Sequence, residues 1–251
     1  MSTQAGDNIR VCVCLLCYKP NDIWLNFLTK FTKYHIYIVI DDNSKDYKKD
    51  YSNFSNIHII QIDNNVCRAH GFINMNYIIK KDITAWEKAM YYFSSVNTCY
   101  NKMWFFEDDV FFYDEESLLQ IDSKYKNSDL LSREFNNTYI GGLRNFWLWD
   151  KINISFEPPY YRSMTCCIRI SPELLSKLKN YAQKYKTLFF LEALFPTICM
   201  KYNLQHNTPD EFKNILYRKV YNDDNINKID LYHPVKEIAK HTYYRDMLNK
   251  Q

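Results

Sequence analysis

Residues 103–112 have the sequence MWFFEDDVFF, in which three carboxylates interrupt an otherwise apolar stretch. The apolar run Met103–Phe106 predicts a buried strand, and Glu107, Asp108 and Asp109 follow directly at its carboxyl end. Adjacent carboxylates repel one another and are costly to bury without a cation. Mg²⁺ and Mn²⁺ prefer oxygen ligands and often take one or two protein carboxylates together with substrate phosphates. The stretch therefore predicts a divalent-cation site at a strand end, with an acidic turn that caps the next helix as the alternative.

Three further apolar runs precede this stretch, at Val11–Tyr18, His35–Ile40 and Ile57–Ile62. Helical patterns at Asn21–Lys30 and Asp82–Val96 separate some of them. Runs this apolar are typical of strands buried on both faces, and so of a parallel sheet covered by helices. The predicted fold class is α/β, with an open, mainly parallel sheet flanked by helices. In such sheets ligands bind at the carboxyl ends of the strands, where the carboxylates lie here.

The second half of the chain continues the alternation less regularly. Strands are predicted at Asn137–Leu143 and Met164–Ile170, a helix that begins after Ser171, and another helix at Leu188–Tyr202. Because no repeat and no linker-like shift in composition is present, we predict one domain over residues 1–251.

Composition excludes several functional classes. The net charge of +3 is too balanced for a nucleic-acid-binding or membrane-surface protein, and the four glycines form neither a G-x-G-x-x-G motif nor a P-loop. No stretch approaches the roughly 18 apolar residues of a membrane span, and the N-terminal sequence lacks the pattern of a signal peptide. Cys14 and Cys17 form a C-x-x-C, but it lies within the apolar strand VCVCLLCY and has no second pair. Buried free thiols are therefore predicted there, which fits a reducing compartment and predicts a cytoplasmic protein.

A second acidic segment ends the second predicted strand, where residues 39–46 have the sequence VIDDNSKD. Asp41 or Asp42 is placed to accept hydrogen bonds from a ribose or a base, as the acidic residue of nucleotide-binding folds does. An Asx turn is the alternative interpretation.

The segments VIDDNSKD and WFFEDDVFF together resemble two motifs of family-2-type glycosyltransferases with the GT-A fold. The first resembles the strand-two signature, with Asn43 where glycine is common, and the second resembles the DxD element in an E-D-D form. The resemblance covers about residues 10–112 and is thinner beyond them. It implies a nucleotide-diphospho-sugar transferase architecture, with about residues 10–112 binding the nucleotide sugar and about 113–251 forming the acceptor side.

The resemblance also implies roles for individual residues. Asp109 would bind the metal, Mn²⁺ or Mg²⁺, and Glu107 and Asp108 would face the ribose and the metal shell. Asp41 or Asp42 would contact the nucleoside. Further candidate donor contacts are Tyr18, at the end of the first strand, and Arg68, after the third.

Two candidates lie towards the C-terminus. Glu192 is a lone carboxylate in the apolar segment FLEALFPT, where desolvation should raise its pKa, as suits a general base for an acceptor hydroxyl. It resembles the acidic residue of inverting GT-A enzymes; a helix cap or an ion-paired glutamate is the alternative, and Asp210 or Glu211 would be the next base candidates.

His233 and Lys236, in the segment LYHPVK, are the other C-terminal candidates. His233 resembles the third metal ligand of many GT-A enzymes, with His241 as a weaker substitute. A lysine at position 236 would neutralise part of the donor's diphosphate.

The sequence thus predicts a metal-dependent hexosyl- or pentosyltransferase that inverts the anomeric centre by a single displacement, and a retaining route is the alternative if no base is well placed. A UDP-sugar is the expected donor, and a glycan or another hydroxyl-bearing molecule the acceptor, with no nucleic-acid partner and no membrane span. One alternative is a sugar nucleotidyltransferase, although the loop Cys17–Pro20 lacks the glycines usual there. The other is a non-catalytic carbohydrate-binding relic of the fold.

Overall fold

The computed structural model describes residues 10–79, 81–141 and 147–250, with the side chains of 135–137 excepted. Within these ranges the chain forms nine strands and eight α-helices, besides short 3₁₀ turns. The strands are β1 (Val11–Cys17), β2 (His35–Ile40), β3 (Ile57–Ile60), β4 (Lys102–Glu107), β5 (Leu130–Tyr139), β6 (Tyr160–Ile170), β7 (His206–Asn207), β8 (Asn214–Ile215) and β9 (Tyr232–His233). The helices are α1 (Asp22–Leu28), α2 (Tyr47–Asp50), α3 (Asn64–Ala69), α4 (Ala85–Ser95), α5 (Glu115–Lys124), α6 (Pro172–Tyr185), α7 (Leu191–Lys201) and α8 (Ile238–Asn249).

Seven strands form one sheet in the order β3-β2-β1-β4-β6-β5-β7. The pairs β1–β2, β1–β4, β2–β3 and β5–β7 are parallel, whereas β6 runs antiparallel to both β4 and β5. β8 and β9 make a separate parallel pair. The prediction of an open, mainly parallel sheet flanked by helices is confirmed.

Both faces of the sheet are buried, as the continuous apolar runs predict. Along β1, Cys12 and Cys14 pack into a cluster with α4, α6 and α7, whereas Val13 and Leu15 pack on the opposite face with α1 and α5. Successive side chains of a strand point to opposite faces, so a strand covered on both sides must be apolar throughout.

The helix boundaries follow the capping residues. Asn21 caps α1, Ser171 caps α6 before Pro172, and Thr84 and Glu87 form a reciprocal capping box at the start of α4. α7 continues through Pro196, as the sequence predicts for this segment.

The predicted strand Asn137–Leu143 is misplaced. The strand observed there, β5, begins at Leu130 and ends at Tyr139, and residues 142–146 lie outside the described part. The sequence did not indicate the first part of β5, because the segment 132–137, SREFNN, lacks an apolar pattern. β5 is held by pairing with β6 rather than by burial of both faces.

The eight cysteines are all free in the structure, and seven are buried. The predicted buried free thiols of Cys14 and Cys17 are confirmed, whereas Cys99 is exposed in the loop before β4. Among the described residues, no helix combines the length and the apolar character needed to cross a bilayer.

Candidate active site

The carboxyl ends of β1, β2 and β4 meet at one edge of the sheet, where they line a cleft of about 230 Å³. Asp41 donates its backbone N–H to the carbonyl of Cys17 over 2.9 Å, so the loop after β2 continues alongside β1. Asp41 therefore lines the same cleft as Glu107, Asp108 and Asp109. The two acidic segments that the sequence places at strand ends are brought together.

Glu107, Asp109 and His233 form the candidate metal site, since one ligand atom from each lies within 4.8 Å of the others. His233 reaches this edge because Phe111 and Tyr232 exchange two backbone hydrogen bonds, of 2.8 and 2.9 Å. The predicted metal residues Asp109 and His233 thus come together, and Glu107 joins them.

The tautomer of His233 favours metal binding. Its Nδ1 lies 2.7 Å from the carbonyl oxygen of Leu216, which only accepts, so Nδ1 carries a proton and donates it. In the neutral ring Nε2 then presents a lone pair towards Asp109, whose Oδ1 is 3.4 Å away. A carbonyl that fixes the second ring nitrogen is the usual support of a metal-bound histidine.

The carboxylates at this edge are electrostatically strained. Burial, together with the charge of Asp109, raises the pKa of Glu107 to about 7 and that of Asp108 to about 6. The indole N–H of Trp86 donates to Glu107 over 2.8 Å and opposes part of this rise. Burial lowers the pKa of His233, but the nearby carboxylate of Asp109 outweighs this effect and raises that pKa overall.

One oxygen of Asp109 is left without a hydrogen bond. Oδ1 is buried and has no hydrogen-bond donor within the described part of the chain. A buried carboxylate oxygen without a donor is expensive, and a bound cation removes that cost. Two carboxylates and one imidazole are a donor set that Mn²⁺ accepts. The residues present therefore fit a divalent cation.

The two aspartates of the β2 loop have different environments. Both oxygens of Asp42 are engaged locally, by the Ser44 N–H (3.0 Å), the Ser44 hydroxyl (2.8 Å) and the Tyr47 hydroxyl (2.5 Å). The hydrogen bonds from Tyr47 and Ser44 lower the pKa of Asp42 to about 2. The Asx-turn interpretation therefore describes Asp42, whereas Asp41 faces the cleft with Lys81 3.2 Å from its Oδ2.

Of the other predicted donor contacts, Tyr18 lines the cleft, whereas Arg68 and Lys236 do not. Tyr18 lines the cleft and is 57 % exposed, with the ammonium groups of Lys19 and Lys81 5.2 and 5.3 Å from its ring centre. Arg68 does not line the cleft, because two of its nitrogens donate to Asp82. Lys236 is exposed and lines a neighbouring cavity of about 370 Å³ instead, with three other basic residues, Arg218, Lys219 and Lys240.

Glu192 lies in the first turn of α7, which packs against β6. Its Oε2 is 3.4 Å from Nε of Arg162 on β6. Burial raises the pKa of Glu192, whereas Arg162 and, more weakly, His233 lower it. The charges of Glu107, Asp109 and Glu192 all add to the effect of burial in raising the pKa of the Cys166 thiol.

The substitute candidates are His241 for the metal ligand and Asp210 or Glu211 for the general base. His241 is buried between Trp24 and Phe111 and donates from Nε2 to the carbonyl of Val235, and burial lowers its pKa to about 4. Glu211 is buried and pairs with Lys124. Asp210 is exposed in a 3₁₀ turn. None of these three belongs to the candidate metal group among the described residues.

Sequence reasoning missed three residues that support the site. Trp86 holds Glu107, Arg162 holds Glu192, and Lys88 contacts the β2 loop. In the sequence Trp86 fits the apolar face of a helix, so nothing indicated that its indole N–H holds Glu107. Lys88 is charged yet fully buried, an unusual combination that only the structure reveals.

No protein-family model matches the chain, and no curated protein sequence matches it. Among solved structures, the chain is similar to the galactosyltransferase LgtC in complex with donor and acceptor sugar analogs, with a TM-score of 0.52 and 11 % identity over 95 % of this chain and 96 % of that one. Two weaker likenesses are the 4-diphosphocytidyl-2C-methyl-D-erythritol synthase of Anaerococcus prevotii (TM-score 0.48, 8 % identity, 97 % of both chains) and mouse xyloside xylosyltransferase 1 (TM-score 0.47, 9 % identity, 92 % and 98 %). At such identity the first likeness shows the fold alone. Together with the mainly parallel sheet described above, this likeness shows that the chain has the fold of the GT-A-type glycosyltransferases.

Proposed function

We propose that this protein is a glycosyltransferase that uses a divalent cation, Mn²⁺ or Mg²⁺, and a nucleotide-sugar donor. A UDP-sugar is the first candidate donor, and the group transferred is a hexosyl or pentosyl unit. The observation that carries the proposal is the grouping of Glu107, Asp109 and His233 at the carboxyl edge of a GT-A-type sheet. Oδ1 of Asp109, which accepts no hydrogen bond from the described residues, supports a cation at that place.

On the donor side, each residue has a separate task. Glu107 and Asp109 offer carboxylate oxygens and His233 offers Nε2, while Trp86 and the carbonyl of Leu216 orient two of these groups. A divalent cation held there would stabilise the negative charge on the leaving nucleoside diphosphate. At the other end of the cleft, Asp41 would accept hydrogen bonds from the nucleoside and Tyr18 would offer its exposed ring face.

On the acceptor side, Glu192 is the proposed general base. It would take the proton of the acceptor hydroxyl as that oxygen attacks the anomeric carbon opposite the leaving diphosphate, which inverts the configuration. Its burial favours a basic carboxylate, and the cation of Arg162 keeps the ionised form accessible. The charge of His233 also lowers the pKa of Glu192, which supports a base role near the candidate metal group.

We also propose a reducing, cytoplasmic location. The support is that the cysteines are free, since neighbouring thiols would be open to oxidation in an oxidising compartment. We also propose that residues 1–251 act as a single domain, with the donor bound by about 10–112 and the acceptor by about 113–251.

A panel of nucleotide sugars, incubated with Mn²⁺, with Mg²⁺ or with a chelator, tests the proposal. Metal-dependent release of a nucleoside diphosphate, with the sugar recovered on water or on an added acceptor, is the expected result. Formation of sugar 1-phosphate and nucleoside triphosphate in the presence of pyrophosphate would show a nucleotidyltransferase instead. Binding of sugars without turnover of any donor would show a carbohydrate-binding protein. The anomeric configuration of the product, read by NMR, separates inversion from retention.

A further inference from the structure

Lys88 is a charged residue with no exposed surface, near the start of α4. A buried ammonium must have acceptors for its three N–H groups. Nζ of Lys88 has three, namely the carbonyl of Asp41 at 2.5 Å, the carbonyl of Ile40 at 3.2 Å and Oδ1 of Asn43 at 3.3 Å. None of the ion pairs in the described part of the chain involves Lys88. The ammonium therefore donates to the last residue of β2 and to the loop that follows it.

Asn43 extends this contact to the next strand. Its Nδ2 donates to the carbonyl of Ile62, beyond the end of β3, over 2.9 Å. Lys88 and Asn43 together thus connect α4 to the ends of β2 and β3. The amide of Asn43 serves both contacts at once, since its oxygen accepts from Lys88 and its nitrogen donates.

The loop that Lys88 holds presents one carboxylate to the cleft. Asp42 is turned inward by Ser44 and Tyr47, and the amide of Asn43 is engaged by Lys88 and by the carbonyl of Ile62, so Asp41 is the loop residue that lines the cleft. Lys88 binds the main-chain carbonyl of Asp41, so its carboxylate stays on the cleft side, where Lys81 contacts it.

The same helix also holds the other acidic segment. Trp86, two residues before Lys88, donates its indole N–H to Oε1 of Glu107. The first turns of α4 therefore set the separation between the nucleoside end of the cleft, at Asp41, and its metal end, at Glu107. Helix-borne groups hold such a separation more rigidly than loop residues do.

We infer that Lys88 is a positioning residue for donor binding. Its hydrogen bonds hold the β2 loop in place, and it thereby acts through Asp41. This inference rests on the proposed function, in which Asp41 contacts the nucleoside. Lys88 itself touches no part of the cleft surface.

Lys88→Met tests the inference, because methionine fills a similar volume without the three donors. With UDP and Mn²⁺ in calorimetry, we expect the affinity for UDP to fall about tenfold, as for the loss of one well-placed hydrogen bond. Affinity for Mn²⁺ alone should stay at the wild-type value, since Lys88 contacts none of Glu107, Asp109 and His233. In turnover, the donor KM should rise while kcat changes little.

The decisive comparison uses Asp41→Asn as a second background. If Lys88 acts through Asp41, adding Lys88→Met to Asp41→Asn should cause no further loss of UDP affinity. The matched control is Lys102→Met, because Lys102 is half-buried and likewise donates to a carbonyl, that of Ser128 at 2.6 Å, but lies at the opposite end of β4. The control should bind UDP like the wild type.

Full UDP affinity in a folded Lys88→Met protein, or an equal loss in both backgrounds, would overturn the inference. If Lys88→Met does not fold, Asn43→Ala decides in its place, with a smaller loss expected in the wild-type background and none with Asp41→Asn. A wild-type protein that binds no nucleotide with any divalent cation would overturn the proposed function, and the inference with it. A wild-type protein that binds, combined with an unaffected variant, overturns the inference alone.

Discussion

Replacement of Asp109 by asparagine perturbs the candidate metal site at its centre. The change keeps the shape of the side chain, removes one formal charge and turns one oxygen into an amide. The carboxylate lies within 4.8 Å of the ligand atoms of Glu107 and His233, and one of its oxygens has no hydrogen-bond donor among the described residues. Little of the fold therefore depends on the charge that is removed.

The expected loss of metal affinity follows from simple electrostatics. Two unit charges 4 Å apart interact by about 4 kcal/mol at an effective dielectric constant of about 20. A dication in contact with the carboxylate gains at least as much, and dehydration of both groups offsets part of it. We expect Mn²⁺ to bind at least about 100-fold more weakly, a loss of about 2.7 kcal/mol. Binding of UDP that depends on Mn²⁺ should fall below detection.

Without metal, the same variant should be no less stable than the wild type. Burial and the charge of Asp109 raise the pKa of Glu107 to about 7, above its ordinary value of 4.5. A raised carboxyl pKa means that the folded state loses stability as the pH rises from about 4.5 through 7. Removal of the Asp109 charge lowers that pKa, so the metal-free variant should gain stability relative to the wild type at pH 8.

Calorimetry with MnCl₂ alone, and then with UDP, measures the metal affinity, and thermal unfolding at pH 8 in a chelator measures the stability. Asp108→Asn is the matched control, because Asp108 belongs to the same triplet but not to the ligand group. The control should lose much less Mn²⁺ affinity than Asp109→Asn. An unchanged Mn²⁺ affinity in folded Asp109→Asn would refute the assigned site.

Three further outcomes are expected. Glu192→Gln should lower turnover by about 10²–10⁴-fold with donor affinity nearly unchanged, and near-normal turnover would exclude Glu192 as the base. Arg162→Met should move the acid limb of the kcat/KM profile to higher pH, because Arg162 lowers the pKa of Glu192 and the base must be ionised; an unmoved limb would contradict the pairing. Glu87→Gln should reduce the free energy of unfolding by about 1–3 kcal/mol in urea, since both carboxylate oxygens accept buried hydrogen bonds from Met75 and Thr84, whereas Glu116→Gln on an exposed helix face should change little. Equal stabilities of the two variants would show that the buried capping box contributes nothing.

The parallel half of the sheet could be predicted because each strand is buried on both faces. The predicted run His35–Ile40 matches β2 residue for residue, and Met103–Phe106 lies inside β4. The order of the strands follows from the parallel connections, and so does the meeting of Asp41 with the Glu107–Asp109 triplet.

The acceptor side could be predicted less well. β6 is inserted antiparallel between β4 and β5, a pairing between segments far apart in the chain that no local pattern reveals. For that reason the position of Arg162 beside Glu192 was not foreseen. His233 could be found from its local sequence, but only the backbone pairing of Phe111 with Tyr232 explains why it reaches Asp109.

The sequence pattern does not reveal the buried polar groups that position the residues of the cleft. Lys88 and Trp86 lie on a helix whose periodicity indicates packing against the sheet, and both do pack there. Their hydrogen bonds to the β2 loop and to Glu107 depend on distances across the sheet edge. Asp42 shows the converse case, since a carboxylate in a motif turned out to be engaged by its own loop.

The central claim is that Glu107, Asp109 and His233 hold the cation that binds the donor's diphosphate. Crystals grown with MnCl₂ and UDP, measured at a wavelength where manganese scatters anomalously, test it most directly. The account predicts one strong anomalous peak in bonding contact with a carboxylate oxygen of Asp109 and Nε2 of His233, with the diphosphate of UDP completing the coordination and its nucleoside beside Asp41. Ordered UDP with manganese bound elsewhere, or with no manganese between these side chains, would contradict the account.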